Sequence, residues 1–207
     1  MRIISGTLKG KRFYPPKNIP ARPTTDFAKE ALFNILNNYF DFSEVKFLDL
    51  FAGTGSLDME MFSRGCTDIT SVDMSKISLA FIKKMSEEVK IQNHKIIFGD
   101  AIQFAKNCTQ QYDLIFAGPA YALEVINESP DIIFEKKLLK DEGMFILETS
   151  PKHDFTEHPK LLEVRNYGQT HFWFFGEEIE IVECATFQQL FNAMKTGEAD
   201  YAICAFE

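Results

Sequence analysis

One stretch constrains the fold more than any other: an apolar run over residues 45–51 that ends in Gly53-Thr54-Gly55 and opens into a helical pattern reaching about residue 64. A strand that feeds a glycine turn and then a helix is the first half of a β-α-β unit. The same alternation recurs downstream. Strands are predicted over 69–73, 95–98, 113–117 and 144–148, with helices over 78–90, 102–106 and 126–139 between them. Upstream, Thr24 or Thr25 is placed to cap a helix through about residue 38. The 113–117 strand carries no internal charge, as expected of a central strand covered on both faces. Segments 161–166 and 170–175 flank Tyr167-Gly168-Gln169 and read as a closing hairpin. The fold class is therefore α/β: a Rossmann-like, mostly parallel seven-stranded sheet with an antiparallel terminal hairpin.

The glycine turn carries chemistry as well as topology. In Asp49-Leu50-Phe51-Ala52-Gly53-Thr54-Gly55, glycine permits the backbone dihedrals of a tight turn and close approach of a ligand to the main chain. The third glycine of a dinucleotide fingerprint is absent, and an acid precedes the turn. This favours the amino-acid moiety of S-adenosylmethionine over a pyrophosphate. Asp73, with Met74 beside it, ends the second strand, where a carboxylate can accept both ribose hydroxyls. Asp100 follows the third strand, placed to accept from an adenine amino group, with the Ala101 N–H nearby. Three acids at the carboxyl ends of three consecutive strands point to one crevice. Asp58, just past the turn, reads as surface-facing.

Net charge is −8, which by itself argues against a nucleic-acid partner. Its distribution argues the other way. Residues 1–25 carry Arg2, Lys9, Lys11, Arg12, Lys17 and Arg22 and no acid, while residues 176–207 hold seven acids against Lys195. A basic arm on a near-neutral body is a footprint for phosphates, the alternative being a merely solubilising arm. Three segments follow: a basic arm and helix over 1–40, the sheet domain over 41–175, and an acidic tail over 176–207. Cys66, Cys108, Cys184 and Cys204 form no CxxC pair and read as reduced thiols. His153 and His158 read as a solvated loop rather than a metal site. With no long apolar run and no leader pattern, the expectation is a cytoplasmic, metal-free monomer with no membrane association.

The fourth strand runs into Gly118-Pro119-Ala120-Tyr121. An exocyclic amine is a poor nucleophile because its lone pair is delocalised into the ring. Acceptors on its hydrogens turn that lone pair toward an incoming methyl group, and an aromatic stacks on the base. Tyr121 can stack, and the backbone at Pro119 and Ala120 can accept, but Gly118 brings no acceptor side chain.

Residues 1–175 resemble the RsmD family of 16S rRNA (guanine-N2)-methyltransferases. The resemblance is carried by Met1-Arg2-Ile3-Ile4-Ser5-Gly6, Lys9-Gly10-Lys11-Arg12, Arg22-Pro23-Thr24-Thr25-Asp26, the segment from Lys29 to Leu36, and the loop from Asp49 to Leu57. It implies the class I methyltransferase architecture, S-adenosyl-L-methionine as cofactor, and methylation of a guanine amino group in 16S rRNA or a small-subunit assembly intermediate. It further implies RNA binding through Arg2, Lys9, Lys11, Arg12, Arg22 and Thr24. The family pattern at 118–121 is Asp-Pro-Pro-Tyr, so this chain departs at Gly118 and Ala120. Two outcomes stay open: an active enzyme, or a catalytically impaired relative that binds RNA and cofactor. If the missing acceptor is the cause, an Asp restored at 118 raises the rate.

The tail reads as strand (179–184), helix (186–195) and strand (200–206), and is similar to a fragment of a prephenate dehydratase. About thirty residues cannot hold that active site, so no dehydratase activity is expected.

Overall fold

The computed structural model describes residues 1–19, 24–118 and 124–177. The expected β-α-β tail therefore lies outside the described residues. Helix α1 (Asp26–Leu36) is followed by β1 (Lys46–Asp49), α2 (Ser56–Ser63), β2 (Asp68–Asp73), α3 (Lys76–Val89) and β3 (Asn93–Phe98). Then come α4 (Ala101–Asn107), β4 (Tyr112–Ala117), α5 (Ser129–Glu135), β5 (Leu139–Thr149), β6 (Leu161–Tyr167) and β7 (Thr170–Phe175). The seven strands form one sheet in the order β3-β2-β1-β4-β5-β7-β6. The first five are parallel, and β7 runs antiparallel to both β5 and β6. Strand order reverses between β1 and β4, and open parallel sheets bind ligands at the carboxyl ends beside such a switch.

The uncharged strand runs have a simple cause. Successive side chains of a strand point to opposite faces, and both faces here are covered. Phe47, Leu114, Phe116, Ile146, Phe172 and Phe174 pack with α1 and α2 on one face. Leu48, Ile115, Ala117, Phe145, Leu147, Trp173 and Phe175 pack with α4 and α5 on the other. Four consecutive aromatics in β7 are thus shared between two layers.

Local signals set the element ends. The Thr25 hydroxyl accepts from the Ala28 N–H at 3.2 Å, and Asp26 lies in the first turn of α1, where the helix dipole favours an acid. Gly168 takes φ +64° between β6 and β7, the left-handed turn that hairpin required. Two expectations need correction. The helix over 126–139 is instead a 3-10 turn at Glu124–Glu128 followed by the seven-residue α5. Pro130 explains the break: lacking an N–H, it is tolerated only in the first turn, so the helix restarts there. His158 lies in a loop, as expected, but is half-buried rather than fully solvated. Its ring packs edge-on against Phe175 at 5.1 Å, and its Nδ1 accepts from the Lys160 N–H.

The basic arm is stitched to the domain through its backbone. Residues 1–13 close on themselves by bonds from Ile3 N–H to Lys11 C=O and from Phe13 N–H to Met1 C=O. Glu60 of α2 accepts from the Ile4 and Ser5 N–H groups at 2.8 and 3.0 Å. The fully buried Lys29 donates to the Arg2 carbonyl at 2.8 Å and Ser56 Oγ at 3.1 Å, and pairs with Glu60 at 3.5 Å. Gly6 (φ +80°) crosses α2 so closely that a Cβ would sit 1.8 Å from the Ser63 carbonyl oxygen. Only glycine fits there. Among the described residues, no helix is long and apolar enough to cross a membrane.

Candidate cofactor and active site

The loop after β1 is held from both sides. Leu50 N–H donates to the Phe116 carbonyl of β4, and Ala52 N–H to the Val72 carbonyl of β2. Gly53 and Gly55 take φ +52° and +67°, conformations that cost other residues strain. Their roles differ. A Cβ on Gly55 would lie 2.8 Å from Ile82 Cγ1, so this glycine lets α3 pack against the start of α2. Gly53 instead aims its N–H at Asp73 Oδ2, 2.8 Å away. Ala52 and Thr54 are almost covered, and Phe51 is half-buried.

Asp73 joins the loop to the end of β2. Its Oδ1 accepts from Ser75 N–H at 2.7 Å, leaving a second lone pair on each oxygen. Beside it, Met74 is 67% exposed, and across the rim Phe98 at the end of β3 is 58% exposed. The Lys76 ammonium lies 5.2 Å from the Phe98 ring centre. Two large apolar side chains left open on a well-packed domain form a surface suited to a flat ring. Asp100 is exposed and caps α4, accepting from Gln103 N–H at 2.8 Å, while Ala101 is buried behind it.

Asp49 differs from the other two acids. It is 2% exposed, lies under the loop, and accepts from Phe51 N–H at 3.2 Å. Burial, and then the neighbouring Asp58 charge, push its carboxyl well above the usual carboxylate range. The surface-facing reading of Asp58 is overturned, because that side chain is fully buried. Helix α2 is wedged between the arm and the sheet and buries seven of its eight residues, leaving no wet face for an acid. Burial drives the Asp58 carboxyl up to about 7, against the opposing hydrogen bonds of Ser71 and Asp49. Ser71 Oγ donates to Asp58 Oδ2 at 2.7 Å and stands 2.7 Å from His94 Nε2. Burial also lowers His94 to about 4, so its ring is neutral at physiological pH. Since the Ser71 proton is committed to Asp58, His94 Nε2–H donates to Ser71. Its Nδ1 then accepts from Ser86 Oγ at 3.1 Å.

Strand β4 ends at Ala117, Gly118 follows it, and Pro119, Ala120 and Tyr121 lie outside the described residues. A Cβ at Gly118 would come within 2.7 Å of Phe116 Cε1 and 3.5 Å of Glu148 Oε2. Glu148, near the end of β5, is 7% exposed, and its Oε2 accepts from Thr24 Oγ1 at 2.6 Å. Sequence reasoning passed over Glu148. The available signal was an acid closing the apolar run Met144-Phe145-Ile146-Leu147, at the same sheet edge as Asp49 and Asp73.

On the arm, Arg2, Lys9 and Arg12 are exposed and Lys11 is half-buried. Arg2 pairs with Asp26 at 3.2 Å and Lys11 with Glu88 at 2.8 Å. Met1, Arg2, Arg12, Tyr14 and Asp26 line a cavity of about 350 Å³, with Tyr14 79% exposed. Arg22 lies outside the described residues.

A family described as Conserved hypothetical protein 95, the RsmD family, matches residues 1–176. The ribosomal RNA small subunit methyltransferase D of Buchnera aphidicola subsp. Acyrthosiphon pisum is 34% identical over 152 residues, covering 72% of this chain and 78% of that protein. The chain belongs to the RsmD family. The RsmD match takes in the arm, the glycine loop and the terminal hairpin, and stops where the acidic tail begins. Among solved structures, yhhF from Escherichia coli superposes with a TM-score of 0.74 at 25% identity, covering 87% of this chain and 99% of that one. SMU.776, solved in complex with SAH, shares the fold at a TM-score of 0.54 and 18% identity, over 70% of this chain and 48% of that one. The architecture is that of the S-adenosylmethionine-dependent methyltransferases, and this RsmD-family chain is a methyltransferase.

Proposed function

We propose that this chain transfers a methyl group from S-adenosylmethionine to the exocyclic N2 of a guanine in small-subunit ribosomal RNA, acting in the cytoplasm on the RNA or an assembly intermediate. The observation that carries the reading is the Gly53–Asp73 cradle with Met74 and Phe98 open beside it. The residues fit the cofactor. Asp73 keeps a lone pair on each oxygen for the two ribose hydroxyls, Met74 and Phe98 offer apolar cover for the adenine, and Asp100 with the Ala101 N–H stands at its edge. Asp49 holds a carboxyl under the loop where the cofactor's ammonium would lie. When bound, the cofactor supplies an electrophilic methyl on a sulfonium that departs as a neutral thioether. The chain's own part is to orient. The loop backbone and Asp73 fix the donor, Tyr121 stacks on the base, and the backbone at Pro119 and Ala120 accepts from the amine.

The ribosomal RNA substrate is supported by the small-subunit rRNA methyltransferase among its relatives and by the exposed Arg2, Lys9 and Arg12 of the arm, and the contacts we propose are Arg2, Lys9, Lys11, Arg12, Arg22 and Thr24. A second reading, an impaired relative, is favoured by the bare Gly118. Incubating the protein with methyl-labelled cofactor and undermethylated small subunits tests the proposal. Label in a single N2-methylguanine supports it, and binding without transfer supports the second reading.

A further inference from the structure

The acceptor that Gly118 lacks has a replacement one strand away. β4 and β5 are parallel neighbours with Ala117 paired to Leu147, which brings Gly118 level with Glu148. A Cβ built on Gly118 lies 3.5 Å from Glu148 Oε2, so the Glu148 carboxylate reaches the space that a short side chain at 118 would fill. The carboxylate is held there, 7% exposed and tethered to Thr24 Oγ1 at 2.6 Å. The same space excludes a second acid. A side chain at 118 would press on Phe116 Cε1 at 2.7 Å and set a like charge against Glu148.

We infer that Glu148 is a catalytic residue of this methyltransferase, accepting a hydrogen bond from the substrate's exocyclic amine. This rests on the proposed amine methylation. A carboxylate is suited to the task because a charged acceptor withdraws an amine proton more strongly than a neutral carbonyl does. As the amine nitrogen forms its bond to the methyl carbon, the carbon–sulfur bond breaks and its electron pair stays on sulfur. The nitrogen then sheds a proton to the Glu148 carboxylate, which passes it to water. Thr24, by holding Oε2, is a positioning residue that links the start of α1 to the reacting amine.

Glu148→Gln tests this, because it keeps the shape and removes the charge. Steady-state methyl transfer to undermethylated small subunits should lose about ten- to a hundredfold in kcat, the size of one charged hydrogen bond made in the transition state. KM for the particle should stay within about threefold, and S-adenosylhomocysteine affinity and melting temperature should stay unchanged. Glu148→Asp, which keeps the charge but withdraws it by one methylene, should also lose kcat while binding S-adenosylhomocysteine normally. A kcat within threefold of the unaltered protein in both variants overturns the role of Glu148 and leaves the proposed function standing. Loss of S-adenosylhomocysteine binding or of the fold in both variants makes Glu148 structural and overturns the inference. No transfer by the unaltered protein overturns both the proposed methylation and the role of Glu148.

Discussion

Replacing Asp58 by Asn should make the protein more stable at neutral pH and scarcely alter it in acid. Asp58 is fully buried and folding raises its carboxyl from 3.8 to about 7, so the folded state holds a proton that the unfolded chain releases. A group raised in this way contributes all its stability below the unfolded value and loses it as the pH climbs through the folded one. The gap from 3.8 to about 7, at about 1.4 kcal/mol per pH unit, amounts to about 4 kcal/mol. Asn keeps the oxygen that Ser71 donates to and carries no charge to desolvate. The variant's advantage should therefore grow from about pH 4 to about pH 7 and then level off. At about 2–4 °C per kcal/mol for a domain of this size, the plateau is a melting temperature about 8–16 °C higher. The difference between the two proteins is the quantity to follow. His94, lowered to about 4, contributes a trend of the opposite sign, and with its Nε2 3.9 Å from Asp58 Oδ2 it is coupled to the substituted site. Calorimetric melting of both proteins from pH 4 to pH 8.5 measures it. A difference that does not vary with pH refutes the buried-proton reasoning.

Three further outcomes follow from the same geometry. Glu60→Ala leaves the buried Lys29 ammonium without its carboxylate and frees the Ile4 and Ser5 N–H groups, so urea unfolding should show a loss of about 3–5 kcal/mol. Limited proteolysis of that variant should cut within the arm first, and an arm as protected as in the parent would contradict the docking described. Asp73→Ala removes the acceptor that ties Gly53 to β2 and should weaken S-adenosylhomocysteine binding about ten- to a hundredfold, checked by titration calorimetry. Gly118→Asp should lower stability by about 1–3 kcal/mol through crowding against Phe116 and bring no gain in methyl transfer. A faster variant would return position 118 to the vacant acceptor site expected from sequence.

The fold was legible because its signals are local. Apolar strand runs, the Thr25 cap and the Gly168 turn each act over a few residues, and strand order follows from short right-handed connections. The departures arise where distant segments meet. Pro130 was readable as a helix start, yet the apolar spacing around it masked the break. Asp58 looked like a surface acid because nothing local shows that the arm and the sheet close on both sides of α2. Glu148 sits thirty residues from Gly118 in sequence, and only the β4–β5 register brings the two together. Of the rim, Asp100 is exposed and Asp73 half-buried at the strand ends, whereas Asp49 is shut beneath the loop with Asp58, a pairing no spacing rule conveys.

The proposed activity depends on a single crevice fitted to an adenosyl amino acid. Calorimetric titration of the full chain with S-adenosylhomocysteine, run beside NAD, tests it most directly. Saturable one-to-one heat with the thioether and none with NAD is the predicted result. Binding of NAD alone, or of neither, would contradict it.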